Sequence, residues 1–244
     1  MPALQTLLDE HGADAHRLRL AQTALTDAAP GRPERWTAAP RTYQRRRHTD
    51  TNRHHPDHLE VADQSAALES SADADVVYLV DDSPVGRLLL VATRKGLVYL
   101  NFVPDTESVQ RSLAWIADRL SAHVVAGHKR LQMPRRELDE FFAGRRRHFE
   151  VALDWSLVKP GFTLAVLRAT RQIPFGQTVS YAEIAGRAGN RRAYRAAGSA
   201  LGSNPLPIII PCHRVVHSDG GLGGYTGGLP VKRALLTLEG ALVN

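Results

Sequence analysis

The chain has 244 residues, a formal net charge of +6 and a sequence pI near 9.8, and 43% of its residues are hydrophobic. This length accommodates two modest domains, and the hydrophobic content is enough for a packed core. A single cysteine excludes an internal disulfide and a metal site built from several thiolates.

The composition also limits the cellular compartment and the binding partners to be expected. No apolar run is long enough to cross a bilayer, and residues 1–10 lack a basic start followed by an apolar run, so neither a membrane span nor a secretory signal is predicted. A free thiol is typical of a reducing compartment, and we predict a cytoplasmic protein. The basic balance favours a polyanionic partner, although a solvated basic surface gives the same composition.

The first 75 residues divide into an extension and a linker. Leucine and alanine recur at helical spacing in residues 1–29, which predicts a helical N-terminal extension. Residues 30–75 are polar and proline-containing and include the basic run Arg45–His48, so a disordered linker is predicted.

Residues 76–155 have the pattern of a small mixed α/β domain. Short apolar runs are separated by turn residues, and apolar residues then recur at helical spacing. The predicted elements are strands Val76–Val80, Arg87–Thr93, Leu97–Phe102 and Phe149–Leu153, a helix capped by Asp105, and a helix that begins at Pro134 and ends at Gly144.

Residues 156–244 are predicted to form a mainly helical domain. After a helix over Phe162–Arg171, Ser180 and Glu183 form a capping box for a short helix that ends near Gly189. A second helix, through Ala200, follows at once. Two short helices joined by a tight turn resemble a helix-turn-helix, an arrangement that also has many uses without DNA.

The second of these helices combines small side chains with cations. Alanine, glycine and serine fill its surface, beside Arg191, Arg192 and Arg195. Close packing against another helix explains the small residues. Close approach to a nucleic-acid backbone, with the arginines neutralising phosphates, explains both features.

Cys212 is the single candidate for thiol chemistry. One interpretation is that the Cys212 side chain only packs in the core, since free cysteine is often buried. Prolines bracket the preceding apolar run, which predicts that Cys212 follows a short strand, a common place for reactive groups. His213 can activate the thiol, but adjacent side chains on an extended segment face opposite ways, so contact needs a turn or a bridging water.

A base needs an orienting group, and Glu239 is the candidate. It lies at the end of a helix that begins at Pro230 and ends at Gly240, where a carboxylate opposes the helix dipole unless it pairs with a cation such as imidazolium. A solvated surface glutamate is the alternative. The six glycines of residues 218–228 fit either a ligand-facing loop around Tyr225 and Thr226 or a mobile linker.

Read together, these motifs resemble the O6-alkylguanine-DNA alkyltransferases, also called methylated-DNA–protein-cysteine methyltransferases. The resemblance covers residues 76–244 and rests on four runs in family order. They are Ile173-Pro174-Phe175-Gly176-Gln177-Thr178-Val179-Ser180-Tyr181, Asn204-Pro205-Leu206-Pro207, Ile210-Pro211-Cys212-His213-Arg214-Val215 and Gly223-Gly224-Tyr225-Thr226-Gly227-Gly228-Leu229.

The resemblance implies direct-reversal DNA repair. Cys212 would take the alkyl group from O6-alkylguanine in double-stranded DNA once and stay alkylated, with O4-alkylthymine as a further substrate. His213 would act as base through a water, oriented by Glu239. Asn204 would hold the turn around the cysteine, and Tyr181 would donate toward the base ring.

The resemblance also implies DNA-binding and pocket residues. Arg195 would enter the base stack in place of the flipped nucleotide, and the small residues beside it would let the helix enter the minor groove. The other predicted DNA-binding residues are Ala196, Arg191, Arg192 and Ser180, and the predicted base pocket is lined by Val215, Tyr225 and Thr226.

Some family members hold a structural zinc with cysteines in the N-terminal domain, and the single cysteine here predicts no such site. We also expect no cofactor, no required protein partner and no oligomer. Association with the nucleoid would follow from DNA binding. Thr163, Leu167 and Tyr194 depart from the family pattern. A lesion binder without catalysis and a cysteine hydrolase are the rival functions. The first is disfavoured because such relatives replace the cysteine, and the second would show multiple turnovers.

Overall fold

The computed structural model describes residues 74–120 and 122–242. The predicted extension at 1–29 and nearly all of the predicted linker at 30–75 lie outside the described residues. Among the helices that are described, none is long and apolar enough to cross a membrane.

A four-stranded sheet forms the first half of the described chain. Strands β1 (Val76–Asp81), β2 (Leu88–Thr93) and β3 (Gly96–Phe102) are antiparallel, as the alternation of apolar runs and turns predicts. A fourth strand, β4 (Val124–Ala126), pairs in parallel with β1, so the order is β3-β2-β1-β4. The sequence pattern did not predict β4, because three residues are too few to show a period.

Two helices complete this half. Helix α1 (Thr106–Leu120) begins behind Asp105, whose Oδ1 accepts from the Ser108 amide at 2.7 Å, which confirms the predicted cap. Helix α2 (Gln132–Phe142) starts two residues before the predicted Pro134, after a short 3₁₀ turn.

The predicted strand Phe149–Leu153 is wrong. This segment makes a single parallel bridge, from Leu153 to Leu97. The amides of Glu150 and Val151 donate instead to the buried carboxylate of Glu137 on α2, at 2.9 and 3.3 Å, so they are not available to a strand partner.

The second half of the described chain is mainly helical. Helix α3 (Phe162–Arg171) has the predicted bounds. Strand β5 (Val179–Ser180) leads into α4 (Tyr181–Arg187), where the Ser180 hydroxyl accepts from the Glu183 amide at 3.1 Å. The Glu183 carboxylate pairs with Arg187, one turn further along.

The predicted helix-turn-helix is present. The turn after α4 passes through Gly189, at φ +100°, and Asn190 Oδ1 accepts from the Arg192 amide at 3.1 Å. A 3₁₀ turn then leads into α5 (Tyr194–Gly202), which packs against α3 and α4. These elements confirm the predicted architecture, a small mixed α/β domain followed by a mainly helical domain.

The last elements carry the thiol and the pocket loop. A 3₁₀ turn over Cys212–Arg214 leads into β6 (Val215–Val216), which pairs in parallel with β5. Helix α6 (Gly228–Leu238) follows the glycine-rich loop.

One hydrophobic core runs through both halves, from the inner face of β2 to α3, α5 and α6. The backbone amide of Leu100 donates to the Pro205 carbonyl at 2.8 Å across the junction. Leu167, where the family pattern has tryptophan, is fully buried in this core.

Candidate functional site

Cys212 lies in a turn, not after a strand. The predicted strand before it is wrong, because Ile208 adopts φ 74°, in the left-handed region, and the apolar run folds into turns. The strand comes afterwards, as β6. Since Cys212 and His213 share a 3₁₀ turn, neighbouring side chains need not face opposite ways, which removes the geometric objection to their cooperation.

Asn204 holds this turn together. Its amide nitrogen donates to the Ile210 carbonyl at 2.9 Å and to Cys212 Sγ at 3.2 Å, while its carbonyl oxygen accepts from the Leu206 amide at 3.0 Å. All of these groups are buried, so the amide fixes the sulfur by bonds that water does not weaken.

The Cys212 thiol keeps its proton at rest. The residue is 6% exposed, and burial raises the pKa of the thiol, although the Asn204 hydrogen bond and the charge of Lys232 oppose part of that rise. The thiol therefore needs a base at the moment of reaction.

His213 and Glu239 form a buried pair. His213 Nε2 lies 2.8 Å from Glu239 Oε1, and both side chains are inaccessible to solvent. An ionised carboxylate can only accept, so Nε2 carries the proton and the neutral ring has its basic nitrogen at Nδ1. Nδ1 is buried and has no hydrogen-bond partner among the described residues.

Charge and burial set the protonation of this pair. Burial lowers the pKa of His213, and Glu239 opposes only part of that effect, so the imidazole is neutral at rest. Burial raises the pKa of the Glu239 carboxyl, but His213 and Arg214 outweigh burial and lower this pKa to about 2.

Arg214 is a functional residue that the sequence did not single out. Its Nε and Nη2 donate to the two oxygens of Glu239 at 2.9 Å each, and Nη1 donates to the Ile173 carbonyl. This two-pronged bond orients the carboxylate toward His213. The 3₁₀ turn after Pro211 places His213 and Arg214 against the same carboxylate. The sequence pattern indicated an extended segment here and therefore did not predict the Arg214 contact.

Lys232 is a second residue that the sequence analysis missed. Its ammonium is buried and donates to the Val215 carbonyl at 2.7 Å and to the Leu222 carbonyl, joining β6 to the glycine-rich loop. Burial lowers the pKa of Lys232 to about 8. Lys232 is separated by helical spacings from Leu235 and Leu236 on α6 and from Glu239 at its C-cap, so these side chains lie on one face of the helix. This spacing could have indicated that Lys232 is buried.

Tyr225, one of the predicted pocket residues, and Tyr181 both interact electrostatically with Cys212. The Tyr225 ring packs edge-on against His213 and against Phe102 of β3, and its hydroxyl is buried without a hydrogen-bond partner among the described residues. Burial, and then the charge of Cys212, raises the pKa of both Tyr181 and Tyr225. Thr226 is half-buried beside Tyr225.

The predicted DNA-binding residues form a separate, exposed face. Arg191, Arg192, Arg195 and Ala196 are exposed, whereas Ser180 is half-buried and its hydroxyl caps α4. Tyr194 is 46% exposed with the Arg195 guanidinium 5.7 Å from its ring, so this bulky departure from the family pattern lies outside the core.

The two groups of residues meet through α4 and α5. A Cβ at Gly198, on α5, would lie 3.8 Å from the Tyr181 ring at the start of α4. The Tyr181 ring therefore lies against α5, the helix that carries Arg195.

A cleft of about 560 Å³ lies beside the thiol segment, bordered by Arg147, Arg171 and Pro211. Cys212, Tyr181 and Tyr225 do not line it, so it is distinct from the predicted base pocket. Within residues 74–120 and 122–242, no group of three or more histidine, cysteine or carboxylate side chains could hold a metal ion.

Comparison with known proteins gives two family matches. Residues 76–155 match the 6-O-methylguanine DNA methyltransferase ribonuclease-like domain, and residues 161–241 match the DNA-binding domain of the same family.

Individual relatives agree with these matches. The methylated-DNA–protein-cysteine methyltransferase of Methanosarcina acetivorans is 36% identical over 164 residues, which cover 67% of this chain and 98% of that protein. The protein of the same name from Mycolicibacterium paratuberculosis is 39% identical over 67% of this chain and 92% of its own length. A crystal structure of Mycobacterium tuberculosis OGT in complex with DNA is 38% identical, covers 67% of this chain and 92% of that one, and superposes with a TM-score of 0.57.

Proposed function

The chain belongs to the O6-alkylguanine-DNA alkyltransferase family, which repairs DNA by moving an alkyl group onto a cysteine, and we propose that Cys212 is the acceptor. The observation that carries this proposal is the buried arrangement around the sulfur of the one cysteine in the chain. Asn204 holds that sulfur, and the histidine next to it is bound to Glu239.

His213 acts as the base. Its free Nδ1 takes the Cys212 proton through one water, while the Nε2 proton stays in the bond to Glu239. The imidazolium that forms is stabilised by the Glu239 carboxylate, which Arg214 holds in place. The thiolate then attacks the alkyl carbon, an S–C bond forms, and the C–O6 bond breaks with its electron pair on the purine.

Tyr181 supplies the proton that the departing purine needs. Its raised pKa means that it enters the reaction as a neutral donor. Val215, Tyr225 and Thr226 line the space that the flipped base occupies, and the Lys232 bond to the Val215 carbonyl holds this wall against the loop.

DNA is the partner, as the DNA-binding domain match and the DNA complex of the relative support. The specific lesion is O6-alkylguanine, with O4-alkylthymine as a second substrate. Arg195 fills the stack left by the flipped nucleotide, Ala196 and the other small residues allow α5 into the minor groove, and Arg191 and Arg192 neutralise phosphates. Ser180 acts at the start of α4 in the same interface.

The thioether that forms on Cys212 is stable, so each molecule acts once. We propose that it acts as a monomer and without a protein partner. Its location on the nucleoid follows from its affinity for DNA. We propose that residues 76–155 and 156–244 act as two domains.

The test is to incubate the protein with a duplex that contains O6-methylguanine and to map its peptides by mass spectrometry. One methyl group per protein on Cys212, with restored guanine, is the expected result, and Cys212→Ser should leave the lesion intact. Tight binding with neither methylation nor repair would support a lesion binder instead. Repeated turnover on an ester would support a hydrolase.

A further inference from the structure

His217 lies beside Tyr181 because of the short parallel ladder. The pairs Val179–Val215 and Ser180–Val216 form its two rungs, so the next residues, Tyr181 and His217, leave it side by side. Their ring centroids are 5.1 Å apart and their planes are inclined by 42°.

The polar ends of both rings approach the backbone at Gly223. A Cβ on this glycine would lie 2.5 Å from Tyr181 Oη and 3.2 Å from His217 Nε2. Gly223 also has φ +66°, which side-chain-bearing residues rarely adopt, so the loop is built to let both rings approach. The Tyr181 hydroxyl and the imidazole Nε2 therefore face the same patch of backbone.

The two side chains differ in their access to solvent. Tyr181 is half-buried, whereas His217 is exposed. Imidazole is the side chain whose charge ordinarily changes between pH 5 and 8, so an exposed histidine can exchange protons with solvent. The hydroxyl behind it cannot exchange as freely.

The loop holds His217 in this place. Its amide donates to the Gly221 carbonyl at 2.7 Å, and its carbonyl accepts from Gly220. The titratable groups close to it are Tyr181 on α4, whose ring it contacts, and Asp219 in its own loop, which lies with His217 near Gly221. Cys212 interacts electrostatically with Tyr181. Asp219 Oδ1 accepts from the Gly221 amide at 2.9 Å.

We propose that His217 is a positioning residue that donates a proton to Tyr181 as Tyr181 donates its own to the departing purine. This inference rests on the proposed function. As the C–O6 bond breaks, its electron pair stays on the purine, and a ring nitrogen takes the Tyr181 proton. The phenolate takes the Nε2 proton of the His217 imidazolium, which leaves as neutral imidazole in contact with solvent. Because the imidazolium is a stronger acid than the phenol, no phenolate persists next to Cys212.

The test measures the rate of Cys212 alkylation by free O6-benzylguanine between pH 5.5 and 9. The variants are His217→Asn, which keeps a donor of similar size that does not titrate, and His217→Phe, which keeps the ring. The wild type should react about tenfold faster than either variant at pH 6, and the ratio should fall to one by pH 9. His148→Asn, at another exposed histidine, is the matched control and should give a ratio of one throughout.

A double variant tests whether His217 acts through Tyr181. Adding His217→Phe to Tyr181→Phe should slow the reaction no further. A ratio that does not change with pH, or additive losses in the double variant, would overturn the inference. In that case Cys212 methylation by the wild type would still support the proposed function, which fails only if Cys212 stays unmodified.

Discussion

Glu239 binds two buried side chains at one site, since its two oxygens accept hydrogen bonds from the neutral His213 imidazole and from the Arg214 guanidinium. Its folded-state pKa of about 2 lies below the ordinary value of 4.5. The carboxylate therefore stabilises the fold fully above pH 4.5, and this stabilisation is lost as the pH falls toward 2. The difference corresponds to about 3 kcal/mol. His213, whose pKa is lowered on folding, adds acid sensitivity in the same direction.

We predict that Glu239→Gln flattens this dependence. Urea unfolding at several pH values between 7 and 3 should show the wild type losing stability with acid, while the variant, already destabilised at pH 7, loses much less. Glu183→Gln is the matched control, because it removes a carboxylate that pairs with Arg187 at the surface, where such a pair contributes less than about 1 kcal/mol. Parallel curves for the wild type and Glu239→Gln would contradict the assignment.

Sequence patterns predicted Cys212, His213 and Asn204 from motif order and Glu239 from its place at the end of a helix, and the structure brings these side chains into contact in pairs. These patterns did not locate Arg214 or Lys232. A buried cation is expected to be rare, and only the fold shows that Arg214 meets a carboxylate and Lys232 meets backbone carbonyls. Both residues act on groups far along the chain, which local patterns do not record.

At the scale of elements, α5 has one exposed side and one side that packs on α4. Arg195 is exposed, and the side of α5 at Gly198 faces the Tyr181 ring. We predict that Arg195→Ala slows repair of O6-methylguanine in duplex DNA by about tenfold or more. Flipping a base out of the duplex costs a few kcal/mol, and in the variant no side chain fills the gap that the base leaves in the stack. Reaction with free O6-benzylguanine should change less than about twofold, since no stack is opened.

The measurement compares single-turnover rates on the two substrates. Arg192→Ala is the control for a phosphate contact, and it should weaken duplex binding and lower the salt slope by about one without changing the rate at saturation. An equal loss on both substrates for Arg195→Ala would refute a role in base flipping.

The sequence predicted the bounds of helices and strands correctly where the groups that end an element lie close to it in the chain. The cap of α1, the Ser180 cap of α4 and the bounds of α3 depend on residues within one turn, and these predictions are confirmed. The other half of the predicted capping box is wrong, because the Glu183 carboxylate pairs with Arg187 instead of reaching back to the cap. The strand predicted at Phe149–Leu153 is wrong because a buried carboxylate on α2 takes its amides, and alternation of apolar residues cannot reveal such a competitor.

At the scale of the whole molecule, the N-terminal sheet supports the thiol site. Phe102 at the end of β3 packs on Tyr225, and the Leu100 amide binds the Pro205 carbonyl next to Asn204. The sequence places these residues about a hundred positions apart, so their contact could not be predicted from motif spacing. The sheet is therefore part of the site's geometry, although it supplies none of the proposed catalytic groups.

We predict that methylation of Cys212 destabilises the folded protein. The sulfur is 6% exposed and already contacts Asn204, so an added methyl group overfills a packed site, at about 1–3 kcal/mol. Calorimetry of the protein after reaction with lesion DNA and removal of that DNA should give a Tm several degrees below that of the unreacted protein. Cys212→Ala carried through the same treatment is the control, and an unchanged Tm in the reacted wild type would contradict the prediction.

The burial of Cys212 has a consequence for the time before any lesion is met. A sulfur that is used once must survive its wait, and peroxides and disulfides attack the thiolate rather than the thiol. By raising the pKa and shutting out solvent, the fold keeps this atom in its least oxidisable form. The raised pKa of the thiol therefore has two effects: it slows oxidation of Cys212 before a lesion is bound, and it makes the reaction depend on a base.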